Sequence, residues 1–217
     1  MSGKLSKNIT TEISLEIVAI KVLIEAYKII ILKSKYDLDW EEEQFSAYIF
    51  PFMQATGLAK KHNLVIGIEE KLLQKNKLPI GNNNPKKAPR IDIYIASWLF
   101  KKDDISKYYF EAKNLSQNPR SKSTGTKVDA NALQRRYIKT GIENFRKDRY
   151  YDGSLVGYVL EGEIDAIVDK LNERLLKDSN TIDKITKTKK DYSYESKHLT
   201  KLKEEMIIKH IFLKFNT

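Results

Sequence analysis

Asp92, Glu111 and Lys113 are the residues of this chain whose types and spacing best suit chemistry. The run Arg90-Ile91-Asp92-Ile93-Tyr94-Ile95 alternates with period two, which predicts a strand with Ile91, Ile93 and Ile95 on one face and Asp92 and Tyr94 on the other. Tyr108-Tyr109-Phe110-Glu111-Ala112-Lys113 predicts a second strand, in which Glu111 and Lys113 share a face because residues i and i+2 of a strand point the same way. The turn Lys101-Lys102-Asp103-Asp104 makes the two a hairpin. Paired side by side, the strands bring Asp92 close to Glu111, giving two carboxylates able to bind one hard cation through oxygen. With an amine beside them, such a group suits attack of water on a phosphodiester: the metal neutralises developing charge and makes the water more acidic, and the amine orients it.

The surrounding elements have to position these groups. Ile13 to Leu32 predicts a helix interrupted by Glu16, Lys21, Glu25 and Lys28, which suits core packing or homodimerisation through residues 13–32 and not a membrane span. Tyr36-Asp37-Leu38-Asp39 offers a turn and an N-cap for a second helix from about Trp40, with Phe45, Ile49, Phe52 and Met53 as its apolar stripe and a break expected near Phe50 because Pro51 lacks a backbone donor. Leu64 to Ile68 predicts a strand, Gln74 to Lys87 a basic loop, Asn114 to Lys127 another, Val128 to Arg146 a helix, Leu155 to Leu160 a strand, and Glu163 to Leu176 a helix. Met206 to Phe215 suits a closing strand, while the Lys-rich stretch from Lys184 to Lys203 has no clear assignment. The sum is a mixed α/β arrangement around one sheet, a single domain over residues 1–217.

The formal net charge of +10 makes a polyanion the natural partner, since clustered Lys and Arg bind phosphates with release of counterions. With no cysteine, disulfides and thiolate zinc sites are excluded, and His62, His198 and His210 are too scattered in sequence to suggest a metal cluster. A metal must then be held by carboxylates. The N-terminus has no secretory pattern, so a cytoplasmic protein is expected.

Pro89-Arg90-Ile91-Asp92 followed by Glu111-Ala112-Lys113 resembles the bipartite motif of the PD-(D/E)xK nuclease superfamily, with two residues between Pro89 and Asp92. The resemblance covers about residues 40–160 and implies a restriction-endonuclease-like αβββαβ core, a mixed central sheet flanked by helices, with an N-terminal helix and a C-terminal extension outside it. It further implies that Asp92, Glu111 and the Ala112 backbone carbonyl ligate Mg²⁺, for which Mn²⁺ can substitute, and that Lys113 activates or positions water. A helix acid, implied as a further catalytic and metal-ligating residue, completes the family's pattern; Glu42 is the choice because it shares the face of Phe45 and Ile49, with Glu43 its competitor. Gln134, three residues before Tyr137, matches the polar residue that follows the third strand. The implied activity is a metal-dependent endonuclease, with DNA preferred over RNA, in a restriction or defence setting. Two other readings stay open: a nucleic-acid-binding module with an inactive site, and a basic assembly subunit.

Basic residues flank the site in sequence and offer phosphate contacts: Lys86, Lys87 and Arg90 in one loop, Arg120, Lys122 and Lys127 in the other, and Arg135 and Arg136 beside Gln134. Other Glu-x-Lys triplets exist, Glu69-Glu70-Lys71 and Glu195-Ser196-Lys197, but only Glu111 has a partner strand bearing an acid. A solvated sheet face with a cross-strand ion pair would use the same three residues without function. The helix expected to cover that sheet argues against it, because buried charge is costly without a task.

Overall fold

The β-branched and aromatic runs all join one sheet in the structure, a computed structural model that describes residues 14–33, 35–71, 90–100, 104–147, 153–190 and 192–216. In chain order the elements are α1 (Leu15–Lys33), α2 (Glu42–Ala55), α3 (Gly57–Lys61), β1 (Val65–Lys71), β2 (Arg90–Ser97), β3 (Ser106–Ser116), β4 (Arg120–Ser121), β5 (Lys127–Val128), α4 (Ala130–Arg136), a π-helical segment (Tyr137–Ile142), α5 (Glu143–Arg146), β6 (Gly153–Glu161), α6 (Ile164–Leu175), β7 (Thr181–Lys187), β8 (Ser193–Leu199) and β9 (Glu205–Lys214). Seven strands form a mixed sheet in the order β1-β2-β3-β6-β9-β8-β7, and β4 and β5 pair as a small separate hairpin. The β1-β2-β3 meander is antiparallel, β3-β6 and β6-β9 are parallel, and β9-β8-β7 is antiparallel again. Helices α1, α2 and α3 cover one face over a core of Phe45, Ile49, Phe110 and Val156; α4, the π segment, α5 and α6 cover the other over Tyr137, Leu155, Leu171 and Phe212.

The first helix and the last strand of the described residues both belong to this core. Leu15, Val18, Val22, Leu23 and Ile30 of α1 are buried in it, and β9 lies inside the sheet between β6 and β8, so neither element is an appendage. The outer side of α1 is apolar too: Ile17, Ile20 and Ile24 line a groove of about 650 Å³ with Leu58 and Lys209. Among the described residues no helix is long and apolar enough to cross a membrane.

Several local expectations change. Pro51 lies inside α2 without breaking it. It sits on the exposed side, as does Ala47 one turn earlier, so water can serve the carbonyl that proline leaves unbonded. The break falls instead at Thr56, whose hydroxyl donates to Met53 O at 2.9 Å and accepts from Ala59 N–H at 3.1 Å, closing α2 and opening α3. β3 runs three residues beyond Lys113, because Asn114, Leu115 and Ser116 are buried and paired with β6 where a loop was expected. The unassigned Lys-rich stretch contains most of β7 and all of β8.

The expected common face of Ile91, Ile93 and Ile95 breaks at Asp92. Ile93 and Ile95 pack with Tyr108 and Phe110 under α1 and α2, whereas Ile91 joins Tyr109 and Leu115 in the opposite core. Pairing of β2 with β3 runs from Ser97↔Ser106 to Ile93↔Phe110 and stops there. A strand released from its neighbour's ladder is free to turn, and the change of face occurs where the two strands part.

Candidate active site

The parting of β2 and β3 is where the acidic residues meet. Asp92 stands one residue past the last paired position, and its Oδ2 accepts a hydrogen bond from the Ala112 N–H at 2.6 Å. Carrying the Ile93↔Phe110 register one step sets Glu111 opposite it. Lys113 Nζ donates to Glu111 Oε1 at 2.6 Å and to the Ala112 carbonyl at 2.7 Å, and lies 3.9 Å from Asp92 Oδ2. Glu111 and Lys113 are buried, and the Asp92 side chain keeps 18% of its surface exposed, an opening toward solvent. Three oxygens thus converge on one positive charge. They belong to the same two carboxylates and the same carbonyl that the sequence offers as metal ligands, and the ammonium standing among them shows that this donor set gathers around a cation. Among the described residues no three His, Cys, Asp or Glu side chains form a metal-binding group.

Glu42 enters from the first turn of α2. Its Oε1 accepts from the Asn114 N–H at 3.1 Å and its Oε2 pairs with Arg136 at 2.9 Å, while Glu43 is exposed. Both Glu42 oxygens are engaged, as Asp92 Oδ2 and Glu111 Oε1 are, and its carboxylate is an electrostatic neighbour of the Lys113 group. Burial raises the carboxyl pKa of Asp92 and of Glu42 above the ordinary range, against the opposing pull of Lys113. Burial also disfavours the Lys113 ammonium, but Glu111, Asp92 and Glu42 outweigh it and hold its pKa above the usual lysine value. Lys113 is therefore a cation at neutral pH.

Gln134 meets the same strand at another point. Fully buried on α4, it donates from Nε2 to the Ser116 carbonyl at 3.1 Å, three residues beyond Lys113. Arg120 and Lys122 turn inward toward the segment ahead of α2: Arg120 pairs with Asp39 at 2.9 Å, and Lys122 Nζ donates to the Asp39 carbonyl at 2.8 Å. Their side chains are only 13% and 19% exposed, so these charges hold the 38–41 turn and do not form the expected phosphate grip. Asp39, expected as part of an N-cap, binds Ser123 and Arg120 instead; hydrogen bonds from Ser123 first, then Arg120, bring its carboxyl down to about 2. The helix consequently starts two residues late, with Glu41 N–H donating to Gln44 Oε1 at 2.9 Å.

Arg90 and Arg135 lie on the surface in exposed pairs with Glu69 at 3.4 Å and Asp129 at 3.7 Å. Lys127 is exposed on β5. Lys86 and Lys87 lie outside the described residues. Sequence reasoning missed Asn114, which joins Glu42 through its N–H and donates from Nδ2 to the Trp40 carbonyl at 3.0 Å. Reading β3 to Ser116 would have found it.

His198 and His210, far apart in sequence, meet at one hydroxyl: each Nε2 lies 2.7 Å from Ser196 Oγ, and His210 Nδ1 is 2.9 Å from Tyr137 OH. This buried chain runs through β8 and β9, apart from the strand that carries Glu111 and Lys113. Comparison of the whole chain with protein-family models, with curated proteins and with solved structures finds no match.

Proposed function

We propose that this chain is a metal-dependent nuclease of the PD-(D/E)xK type, hydrolysing phosphodiester bonds in nucleic acid, with DNA as the first substrate to test. The observation that carries this reading is the convergence of Asp92 Oδ2, Glu111 Oε1 and the Ala112 carbonyl on one ammonium where two antiparallel strands part. The element order supports it: a helix, three antiparallel strands, a helix and a strand parallel to the third agree with the αβββαβ core of that superfamily. Fold likeness alone would name no chemistry.

Mg²⁺ or Mn²⁺ held by Asp92, Glu111 and the Ala112 carbonyl would neutralise phosphoryl charge and make a neighbouring water more acidic. Lys113, hydrogen-bonded to Glu111 and the Ala112 carbonyl, would orient water and stabilise negative charge beside the metal. Arg136 and Asn114 fix the Glu42 carboxylate, which adds negative potential behind the cation site. Arg90 and Arg135 suit contacts with phosphate, since exposed pairs contribute only about 0–1 kcal/mol and yield readily to a competing anion.

The test is cleavage of end-labelled double-stranded DNA, single-stranded DNA and RNA with Mg²⁺ or Mn²⁺. Asp92→Ala and Lys113→Ala should each lower the rate by about 10²-fold or more with the fold intact. Undiminished cleavage by both folded variants would overturn the assignment. Salt-sensitive binding without turnover under any metal would favour a binding module.

A further inference from the structure

A second polar cleft lies at the far end of the strand that carries Glu111 and Lys113. It occupies about 230 Å³ between α4 and α6 and is lined by Asn131, Gln134, Lys170, Glu173, Arg174 and Lys177. Its floor is the exit of β3: Gln134 Nε2 donates to the Ser116 carbonyl at 3.1 Å, and Lys170 Nζ to the next carbonyl, Gln117, at 2.6 Å. Ser116 is three residues past Lys113, so the cleft begins about 10 Å along the strand from the proposed reacting centre.

Two buried atoms of residues that line this cleft have no hydrogen-bond partner among the described residues, Gln134 Oε1 and Arg174 Nε. The amide orientation of Gln134 is fixed, because only its nitrogen can donate to Ser116 O, so Oε1 is left needing a donor. Arg174, whose Nη2 binds Asn131 Oδ1 at 2.7 Å, needs an acceptor at Nε. Unsatisfied buried polar groups are rare and costly, and two of opposite sense in one cleft call for a ligand that both donates and accepts. The charged lining sums to three cations against one carboxylate, which favours an anion.

We infer that this cleft binds one nucleotide of the strand being cut, its phosphate against Lys170, Arg174 and Lys177 and a sugar hydroxyl or base N–H against Gln134 Oε1. A phosphodiester group offers acceptors to Arg174 but no donor to Gln134, so a sugar hydroxyl or base N–H is needed beside it. Only the identity of the bound strand rests on the nuclease reading; the cleft itself does not.

Calorimetric titration of the full chain without divalent metal tests this, using a 5′-mononucleotide, the matching nucleoside and inorganic phosphate as separate probes. The mononucleotide should bind roughly tenfold or more tightly than either other probe, and Arg174→Met combined with Lys177→Met should weaken it by about tenfold, each step being one decade in Kd. Lys177→Glu, at an exposed position, gives the same loss if the double variant fails to fold. Absent binding at millimolar nucleotide, equal binding of phosphate alone, or undisturbed binding in the folded α6 variants overturns the inference. Nucleotide binding in a chain that cuts nothing upholds the cleft and refutes the nuclease reading.

Discussion

Lys113 acts as an internal counter-ion. Its ammonium joins Glu111 Oε1 and the Ala112 carbonyl and sits near Asp92, so removing it leaves two buried carboxylates facing each other with nothing between them. Breaking a buried pair from one side typically costs about 3–5 kcal/mol, and Lys113→Met should lose stability of that order in chemical denaturation. If the same oxygens accept a divalent cation, millimolar Mg²⁺ should raise the melting temperature of this variant more than that of the wild type, where the ammonium competes for the site. An equal or smaller rise would count against these oxygens as the ligands. Asp92→Asn tests the acid partner. Since burial raises the Asp92 pKa, the proton-bound form favours the fold; that stability is full below the ordinary carboxylate range and is lost as pH rises through the raised value. Asparagine escapes this loss and keeps an oxygen for the Ala112 N–H, so the variant should be more stable than wild type at pH 7, the gap closing toward pH 4. Denaturation curves across that range would decide it.

At the scale of elements, the β4-β5 hairpin holds the turn at 38–41, and the turn sets where α2 begins and hence where Glu42 lies. Arg120→Met should therefore lower stability by about 1–3 kcal/mol, as loss of a part-buried charged hydrogen bond does, while leaving the slope of nucleic-acid affinity against salt unchanged. A slope reduced by about one would instead make Arg120 a phosphate contact. This role was illegible in the sequence because Arg120 and its partner Asp39 are 81 positions apart and nothing local joins them. The grouping of Asp92, Glu111 and Lys113 was legible because their face follows from strand period, while spacing from Phe45 and Ile49 favoured Glu42 and left Glu43 open. The turn of Ile91 to the opposite core was not, since alternation assumes an unbroken ladder and β2 leaves its ladder there. Strands β7 and β8 escaped notice for another reason. Their buried positions include Ser196 and His198, polar residues that bond each other once folded and look like loop residues until then.

Over the whole molecule, two sets of buried groups oppose each other in acid. Burial lowers His198 to about 4, with Arg146 lowering it further against Asp178, and lowers His210 to about 3 with help from His198. Their neutral forms favour the fold above the ordinary histidine range, and that stability is lost as pH falls through these depressed values, opposite in sign to Asp92 and Glu42. Asp92→Asn should consequently unfold more steeply than wild type between pH 6 and pH 4, and adding His198→Gln should flatten the curve; melting temperatures at each pH would show whether it does. The sheet that holds all of these groups is joined late in the chain. β9, residues 205–214, is the strand between the β1-β2-β3-β6 half and the β8-β7 edge. During synthesis Asp92, Glu111 and Lys113 emerge well before this joining strand, so a chain halted ahead of residue 205 would hold the β1-β2-β3-β6 half with one edge of β6 unpaired. Such fragments should be cut faster by proteases than chains that include β9, because a core strand left at an edge exposes both its backbone and its apolar side chains.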